Sequence, residues 1–321
     1  MSEASKLPLK VGLIGLGRMG QNHLRVLSML KGVELSFIAD VDIALAKRLG
    51  AAHGVSATID PTDLLSNVDA VVICTPTVTH AEYIRLAAKK VRNLLVEKPL
   101  ASTLAEAEGV ADFANREGLN LQVGFIERFN PAVQGLKSVL DKAERVISID
   151  FTRTNKLSER IADVDVVTDL MIHDIDLALY LNGPARSVAA HGFAHDRMID
   201  FASALITHEN GRFSRIQASR VTEKKMRLIE ATCVDMFVDC ELLRKEIVIS
   251  RQSEIRQIEG KPYTISAIQE VIEVQPQEAL LLELQAFIAT CRGVSWEGLP
   301  GVRDGVAALQ VCEEIQKAVA A

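Results

Sequence analysis

A glycine-rich stretch near the start of the chain has the residue types and spacing of a dinucleotide-binding turn. Residues 15–20 read Gly-Leu-Gly-Arg-Met-Gly, which fits G-x-G-x-x-G, and they follow an apolar strand pattern and open a helix pattern. Such a turn lets the backbone approach a pyrophosphate, and the helix start adds free N–H groups and partial positive charge. The residues predicted to contact a cofactor here are Gly15, Gly17, Arg18, Met19 and Gly20.

An acidic residue stands where such a site needs one. Asp40 lies twenty residues after Gly20, at the end of the second predicted strand. A carboxylate at this place hydrogen-bonds the ribose hydroxyls of the cofactor. It would repel a 2′-phosphate, and the next residue, Val41, supplies no positive charge to hold one. The sequence therefore predicts NAD rather than NADP.

A second set of candidate residues lies near the middle of the chain. Asp169 and His173 are spaced i, i+4, so they share one face of a predicted helix. His173 is a candidate general acid or base, and Asp169 can orient it or bind a substrate hydroxyl. Asp176 continues the same face. No second histidine or cysteine lies at ligand spacing, so no metal site is predicted.

The elements that must position these residues change character along the chain. In the first third, short apolar runs alternate with helical patterns, which is typical of a parallel sheet covered on both faces. Between residues 187 and 250, strand patterns follow one another without helices, which indicates an antiparallel or mixed sheet. We place the domain boundary near Gly124, with a nucleotide-binding domain over 1–124 and a substrate-binding domain over 125–321.

The composition limits the classes of protein to consider. With 321 residues, 48% hydrophobic and 24% charged, the chain has enough apolar material for two globular domains. A net charge of -6 argues against nucleic-acid binding. The five cysteines form no C-x-x-C pair, as expected for free thiols in a reducing cytoplasm. Because no membrane-spanning run or secretory signal is visible, we expect a cytoplasmic protein without a membrane partner.

Together these motifs resemble a known family. They are the glycine-rich turn, Cys74-Thr75-Pro76 with His80, Glu97-Lys98-Pro99, Gly124-Phe125 with Arg128-Phe129-Asn130-Pro131, Asp169 to Asp176, and Asp304-Gly305. Their order and spacing resemble the Gfo/Idh/MocA oxidoreductases over nearly the whole chain. The resemblance implies an α/β fold, in which an N-terminal Rossmann domain precedes a C-terminal α/β domain with an open, largely antiparallel sheet. It also implies a tightly held nicotinamide cofactor, a sugar or polyol substrate, and a homodimer or homotetramer.

The resemblance also assigns roles to single residues. Lys98 points to the reacting hydroxyl, and Glu97 lies near the nicotinamide. A lysine beside a cationic nicotinamide has its ammonium form disfavoured, so Lys98 suits the acceptance of the hydroxyl proton. The sequence leaves open whether Lys98 or His173 takes that proton. The further cofactor contacts implied are Thr75, Pro76, His80, Glu97, Lys98 and Arg128, although His80 fits a polar helix start equally well.

A basic segment precedes the predicted helix of His173. It carries Arg153, Lys156 and Arg160. Arginine recognises phosphate through paired hydrogen bonds, so this segment favours a nucleotide diphosphate over a free polyol. The predicted substrate-binding residues are Lys98, Arg153, Asn155, Arg160, Asp169 and His173.

The same segment resembles the nucleotide-sugar branch of the family. That resemblance implies oxidation of the 3-hydroxyl of UDP-N-acetylglucosamine, bound between the domains, to a ketone. A partner aminotransferase would then form the amine used in lipid A or surface glycans. Three alternatives stay open: the uronic acid of the same UDP-sugar, a free sugar or polyol such as inositol, and a non-catalytic NAD-sensing regulator. A regulator need not keep a lysine at 98 or a histidine at 173.

Overall fold

The computed structural model describes residues 7–156, 164–196, 198–256 and 264–320, without the side chains of 252–256 and 264–267. The chain divides into two compact units. The first unit comprises Met1–Ile126 and Ala279–Leu309, and the second comprises Glu127–Glu278 and Gln310–Ala321. No described helix is both long enough and apolar enough to cross a membrane.

The first unit is built on a six-stranded parallel sheet. Its strands are β1 (Leu9–Ile14), β2 (Val33–Ala39), β3 (Ser56–Thr58), β4 (Ala70–Ile73), β5 (Asn93–Glu97) and β6 (Asn120–Gly124), in the order β3-β2-β1-β4-β5-β6. This is the strand order of the dinucleotide-binding fold, whose switch point lies between β1 and β4. The central strand β4 is apolar throughout, and β5 is apolar between Asn93 and Glu97, as expected where helices cover both sheet faces. The predicted parallel sheet is therefore confirmed.

Helices and glycines connect these strands. The helices of this unit are α1 (Arg18–Leu27), α2 (Ile43–His53), α3 (His80–Ala88), α4 (Leu104–Glu117) and α7 (Ala279–Cys291). Asp42 caps α2 by accepting a hydrogen bond from the Leu45 N–H, and Thr103 caps α4 in the same way. Gly118 ends α4 in the left-handed conformation, with a φ of 62°.

Helix α7 belongs to the first unit, although we predicted that all residues after 124 form the second domain. Its buried face carries Leu280, Leu284 and Phe287, which join the same core cluster as Leu24 of α1. Sequence position does not reveal this return of the chain, because the apolar stripe of α7 fits either unit. Packing against α1 decides the assignment.

The second unit contains an eight-stranded, largely antiparallel sheet. Its strands are β7 (Val146–Thr154), β8 (Ala185–His195), β9 (Met198–His208), β10 (Phe213–Ser219), β11 (Met226–Cys233), β12 (Met236–Glu241), β13 (Glu246–Arg256) and β14 (Thr264–Ile272). The strand order is β14-β13-β12-β11-β7-β10-β9-β8, and only the β7–β10 pair is parallel. The predicted fold class is confirmed.

The remaining helices are α5 (Pro131–Leu140), α6 (Ile172–Asn182) and α8 (Val302–Ala320), the last of which contributes residues to both units. Asn130 caps α5, and Pro131 occupies its first turn. A π-helical turn over Val167–Met171 leads directly into α6. Such turns are frequent at functional sites because they shift the side chains that follow.

Candidate active site

The glycine-rich turn joins β1 to α1 and has the shape of a pyrophosphate cradle. Gly15 has a φ of 92°, a conformation that L-residues rarely adopt. A Cβ at Gly20 would overlap the carbonyl oxygen of Gly15, so only glycine lets helix and strand pack this closely. A Cβ at Gly17, by contrast, would meet no described atom within 4 Å. The open space at Gly17 and the uncapped start of α1 suit a phosphate group.

Asp40 follows β2 and its carboxylate faces the same turn. One carboxylate oxygen accepts a hydrogen bond of 2.6 Å from the Leu16 N–H, and the other accepts one of 2.8 Å from the Asp42 N–H. The first bond ties the acid to the glycine-rich turn, which fixes its orientation. A carboxylate so held can receive the two ribose hydroxyls of NAD.

A cleft of about 530 Å³ opens at the carboxyl ends of β1, β2 and β4. Of the residues predicted to contact the cofactor, Gly15, Gly17, Asp40, Thr75 and Pro76 line it. Arg18 and Met19 are outside the lining, and Arg18 is exposed. Sequence reasoning missed Ile59 and Tyr83, which also line the cleft, because no local motif marks them.

Lys98 and Glu97 stand at the carboxyl end of β5, next to β4 in the sheet. Glu97 is buried, and its Oε1 lies 2.7 Å from Nε2 of His23, itself fully buried on α1. Its Oε2 accepts a hydrogen bond of 3.3 Å from the backbone N–H of Lys98. The peptide that carries the half-buried Lys98 is thereby fixed by the Glu97–His23 pair.

His80 lies behind the cleft wall rather than in it. The side chain is 1% exposed, and its two ring nitrogens lie 2.9 Å from the carbonyl oxygens of Pro99 and Thr75. A neutral imidazole can donate to only one of these carbonyls. Burial lowers the pKa of His80, although both carbonyls favour the protonated ring. The predicted direct cofactor contact is therefore replaced by a bridge between the Thr75 loop and the Lys98-Pro99 peptide.

In the second unit, Asp169 lies in the π-helical turn and His173 in the first turn of α6. Both side chains are half-buried. Their neighbours Asp174 and Asp176 are buried, with exposures of 3% and 1%. This segment therefore carries two pairs of polar residues. Asp169 and His173 are partly accessible, whereas Asp174 and Asp176 are buried.

The buried pair is held by two arginines. Arg153 of β7 forms two hydrogen bonds of 2.7 Å with Asp174 and one of 2.9 Å with Glu127. Burial disfavours its charge, but attraction to Asp174 and Glu127 outweighs burial and raises the pKa of Arg153 above its ordinary value. The predicted role of Arg153 in binding a diphosphate is therefore wrong for this conformation, because three guanidinium N–H groups are already committed.

Arg128 has the same kind of role. It forms hydrogen bonds of 2.8 and 2.6 Å with the carboxylate of Asp176, and its guanidinium lies 4.7 Å from the ring centre of Tyr180. With 5% exposure, Arg128 orients α6, in place of the predicted cofactor contact. Both arginines pair with residues far away in sequence, so spacing gave no signal.

The remaining predicted substrate contacts lie beyond the end of β7. Asn155 is half-buried, and its backbone N–H donates to the carbonyl oxygen of Ser219 at 2.8 Å. Arg160 lies outside the described residues. Sequence reasoning missed Arg227 of β11, which donates to the carbonyl oxygens of Thr154 and Met226 at 2.7 Å. Burial and the neighbouring Arg153 lower the pKa of Arg227 to about 10.

Comparison with family models gives one match in each of the two units. Residues 9–125 match the model described as the oxidoreductase family with an NAD-binding Rossmann fold. Residues 147–235 match the Gfo/Idh/MocA C-terminal domain. NAD is therefore the cofactor of the first unit, and the cradle, Asp40 and the cleft all fit it.

Individual relatives extend the similarity over the full chain. A UDP-N-acetylglucosamine 3-dehydrogenase from Acidithiobacillus ferrooxidans is 30% identical over 308 residues, covering 94% of this chain and 96% of the relative. A solved structure of the enzyme of that name from the same organism superimposes with a TM-score of 0.87, covering 98% of both chains at 27% identity. An inositol 2-dehydrogenase from Rhizobium meliloti is 26% identical and covers 98% of both chains. The chain belongs to the Gfo/Idh/MocA family of oxidoreductases, and it is an NAD-dependent dehydrogenase that acts on a CH–OH group.

Proposed function

We propose that this dehydrogenase oxidises the 3-hydroxyl of UDP-N-acetylglucosamine to the 3-keto nucleotide sugar. The observation that carries this proposal is the 30% identity to a UDP-N-acetylglucosamine 3-dehydrogenase over 94% of the chain. The coarser activity, oxidation of a sugar-like hydroxyl, is common to that relative and to the inositol dehydrogenases.

The residues of the first unit hold the cofactor in this proposal. The cradle of Gly15, Gly17 and Gly20 receives the pyrophosphate, and Asp40 receives the adenosine ribose. NAD, when bound, accepts the hydride from the substrate carbon. Fixed orientation of donor and acceptor supplies much of the rate enhancement in such reactions.

Lys98 accepts the hydroxyl proton in the proposed mechanism. Positive charge on an oxidised nicotinamide disfavours the ammonium form of a nearby lysine, so a neutral amine becomes available at working pH. The Glu97–His23 pair keeps the Lys98 peptide in place through the hydrogen bond to the Lys98 N–H. Lys98 therefore needs little reorganisation to reach the hydroxyl.

His173 is the second group that we place on the hydroxyl. Arg153 and Arg128 anchor two residues that follow it, Asp174 and Asp176, through paired hydrogen bonds. Because Asp174 is the next residue, its bonds to Arg153 limit the motion of His173 relative to β7. Asp169, one turn earlier, orients His173 or binds a sugar hydroxyl.

Recognition of the diphosphate needs cations other than Arg153. Lys156, Lys224 and Lys225 are exposed around the end of β7, and the hydroxyl of Thr154 donates to the carbonyl oxygen of Lys224. Lys156 lies 3.1 Å from Glu223 in an ion pair that is exposed on both sides. Exposed pairs of this kind exchange partners at little cost, so the lysines remain available to a phosphate.

The biological setting follows from the product. A 3-keto sugar is a substrate for transamination, so we propose a partner aminotransferase that forms the 3-amino sugar for lipid A or a surface glycan. The five cysteines are free, which fits the proposed cytoplasmic location.

A free polyol such as inositol is the second candidate substrate. The neutralisation of Arg153 by Asp174 and Glu127 removes the cation that most favoured a diphosphate in the sequence. The full-length similarity to an inositol 2-dehydrogenase points the same way.

A substrate panel separates these candidates. We would measure NADH formation with UDP-N-acetylglucosamine, its uronic acid and myo-inositol, with a hydrazine trap for the ketone because oxidation by NAD is unfavourable near neutral pH. The proposal expects turnover with UDP-N-acetylglucosamine at a far higher kcat/KM than with the other two. A preference for inositol would overturn it, and a preference for the uronic acid would move the enzyme to that substrate.

A further inference from the structure

Four titratable side chains converge beneath the cofactor cleft of the first unit. They are His23 on α1, Cys74 after β4, Glu97 at the end of β5 and Glu283 on α7. The imidazole, thiol and carboxylate atoms of His23, Cys74 and Glu97 all lie within 4.8 Å of one another. Cys74 also lines the cleft, so it connects this cluster with the cofactor site.

Glu283 is the unusual member of this group. Its side chain is 1% exposed, and none of the described residues forms a hydrogen bond with either carboxyl oxygen. The same is true of Nδ1 of His23, which is 0% exposed. Buried polar atoms without a hydrogen-bond partner are rare in folded proteins, and they indicate that a proton, an ion or a water molecule occupies the site.

The charges around Glu283 favour a proton on it. The titratable groups that interact electrostatically with it are Glu97 on β5 and Cys74 after β4, and His23 on α1 pairs with Glu97. On neighbouring β6, Gln122 is uncharged and donates to Thr290 at 2.7 Å. Burial and the negative charge of Glu97 raise the pKa of Glu283 well above its ordinary value of 4.5.

A metal ion fits this geometry less well than a proton. The 2.7 Å between Nε2 of His23 and Oε1 of Glu97 is a hydrogen-bond distance. A tetrahedral ion, with ligand bonds of about 2.0 Å, would hold two such ligands roughly 3.3 Å apart. Burial and the two carboxyl groups also raise the pKa of the Cys74 thiol well above its ordinary value, so it stays protonated.

We propose that Glu283, Glu97 and His23 form a buried proton-binding site whose occupancy depends on the oxidation state of the cofactor. Hydride transfer cancels the positive charge of the nicotinamide, and Cys74 places the cluster at the wall of the cleft proposed to hold NAD. Positive charge favours an ionised carboxyl group nearby, and its loss favours the protonated one. Glu283 therefore holds its proton more tightly beside NADH than beside NAD⁺. This inference rests on the proposed function only in requiring that the enzyme bind and reduce NAD. It does not require a particular sugar substrate.

Proton linkage to cofactor binding tests this directly. We would titrate the full-length protein with NAD⁺ and with NADH by calorimetry, in two buffers with different ionisation enthalpies, to count protons released. NAD⁺ should release more protons than NADH. In Glu283→Gln, which keeps the shape of a protonated carboxyl, that difference should become smaller, and the remainder is the proton that Lys98 is proposed to lose beside NAD⁺. Glu117→Gln, at a partly exposed carboxylate on α4, should retain it.

Two further measurements keep the outcome decisive. If Glu283→Gln does not fold, infrared difference spectra of the unaltered protein replace it, and NADH should give a stronger protonated-carboxyl band than NAD⁺. An equal proton count in the unaltered protein and Glu283→Gln, or no change in that band, would overturn the proposal. So would one equivalent of tightly bound zinc by elemental analysis. If the enzyme did not oxidise UDP-N-acetylglucosamine but the proton release still depended on the cofactor and on Glu283, only the proposed substrate would be rejected.

Discussion

The backbone holds Lys98 in a fixed position that suits its proposed role as a base. The residue follows the last residue of β5, and its N–H donates to the carboxylate of Glu97, which in turn pairs with a buried histidine. A side chain that starts from such a fixed point can act as a base without much reorganisation.

Replacement of Lys98 by methionine should lower kcat by about 10²–10⁴-fold, the usual contribution of a general base. NAD affinity, measured by fluorescence titration, should change little, because the cradle is untouched. Lys89→Met, at an exposed lysine following α3, is the matched control and should behave like the unaltered enzyme. Full turnover by Lys98→Met would assign the proton to His173 alone.

The sequence predicts the residues of the cofactor site better than those of the substrate site. Gly15, Gly20 and Asp40 form one local strand–turn–helix–strand unit, so their spacing determines their geometry. Arg153 and Arg128 instead bind carboxylates 21 and 48 residues away, and only the folded chain brings those together. Basic character is visible in a sequence, but the partner that neutralises it is not.

At the scale of elements, the junction of β1 and α1 separates folding from cofactor binding. A methyl group at Gly20 should destabilise the first unit by about 1–3 kcal/mol, because it overlaps backbone that cannot move. A methyl group at Gly17 meets open space, so Gly17→Ala should fold normally and bind NAD at least about tenfold more weakly. Denaturant unfolding and NAD titration of both variants test this.

Gly109→Ala serves as control for both, since Gly109 is exposed within α4 and should gain about 0.5–1 kcal/mol of stability. Normal NAD binding by Gly17→Ala would mean that the pyrophosphate lies elsewhere. Normal stability of Gly20→Ala would mean that the turn can open.

The contact between β7 and α6 depends on Arg153. Arg153→Met leaves the carboxylates of Asp174 and Glu127 without their shared cation in a buried place. The second unit should lose about 3–5 kcal/mol of unfolding free energy. Arg215→Met removes an exposed partner of Asp150 and should cost about 0–1 kcal/mol. Equal losses in urea unfolding would contradict the role we give to Arg153.

Element types were predictable where the pattern is local, and element partners were not. The helix expected near Thr168–Leu181 is present, but its first turn is π-helical. No residue type in this turn predicts the π-helical conformation. The apolar stripe of α7 likewise predicts a helix without saying that α1 covers it.

At the scale of the whole molecule, one face of the second unit's sheet carries exposed apolar side chains among charged residues such as Asp150 and Arg215. The strand register places Leu205, Phe213 and Phe237 on one face, with exposures of 46%, 39% and 36%. The alternate residues Ala204 and Ile206 are buried on the opposite face. Large apolar side chains that stay exposed on one face can mark an interface, so we propose that a second copy covers this face.

Light scattering should therefore give a mass that is a multiple of 35.0 kDa. The double variant Leu205→Glu, Phe237→Lys should shift it toward 35.0 kDa, because charges replace the apolar contact. Met29→Glu, at an exposed apolar residue of the first unit, should leave the mass unchanged. A monomeric unaltered protein would refute the proposed oligomer.

The transfer of hydrogen from carbon 3 of the sugar is the most direct test of the proposed activity. The enzyme would be given UDP-N-acetylglucosamine deuterated at carbon 3 together with NAD and a ketone trap, and the cofactor would be analysed by mass spectrometry. We predict that the deuterium appears in the reduced nicotinamide and that the trapped sugar has lost it. Deuterium retained in the sugar while NADH forms would show oxidation at another carbon and contradict the proposed reaction.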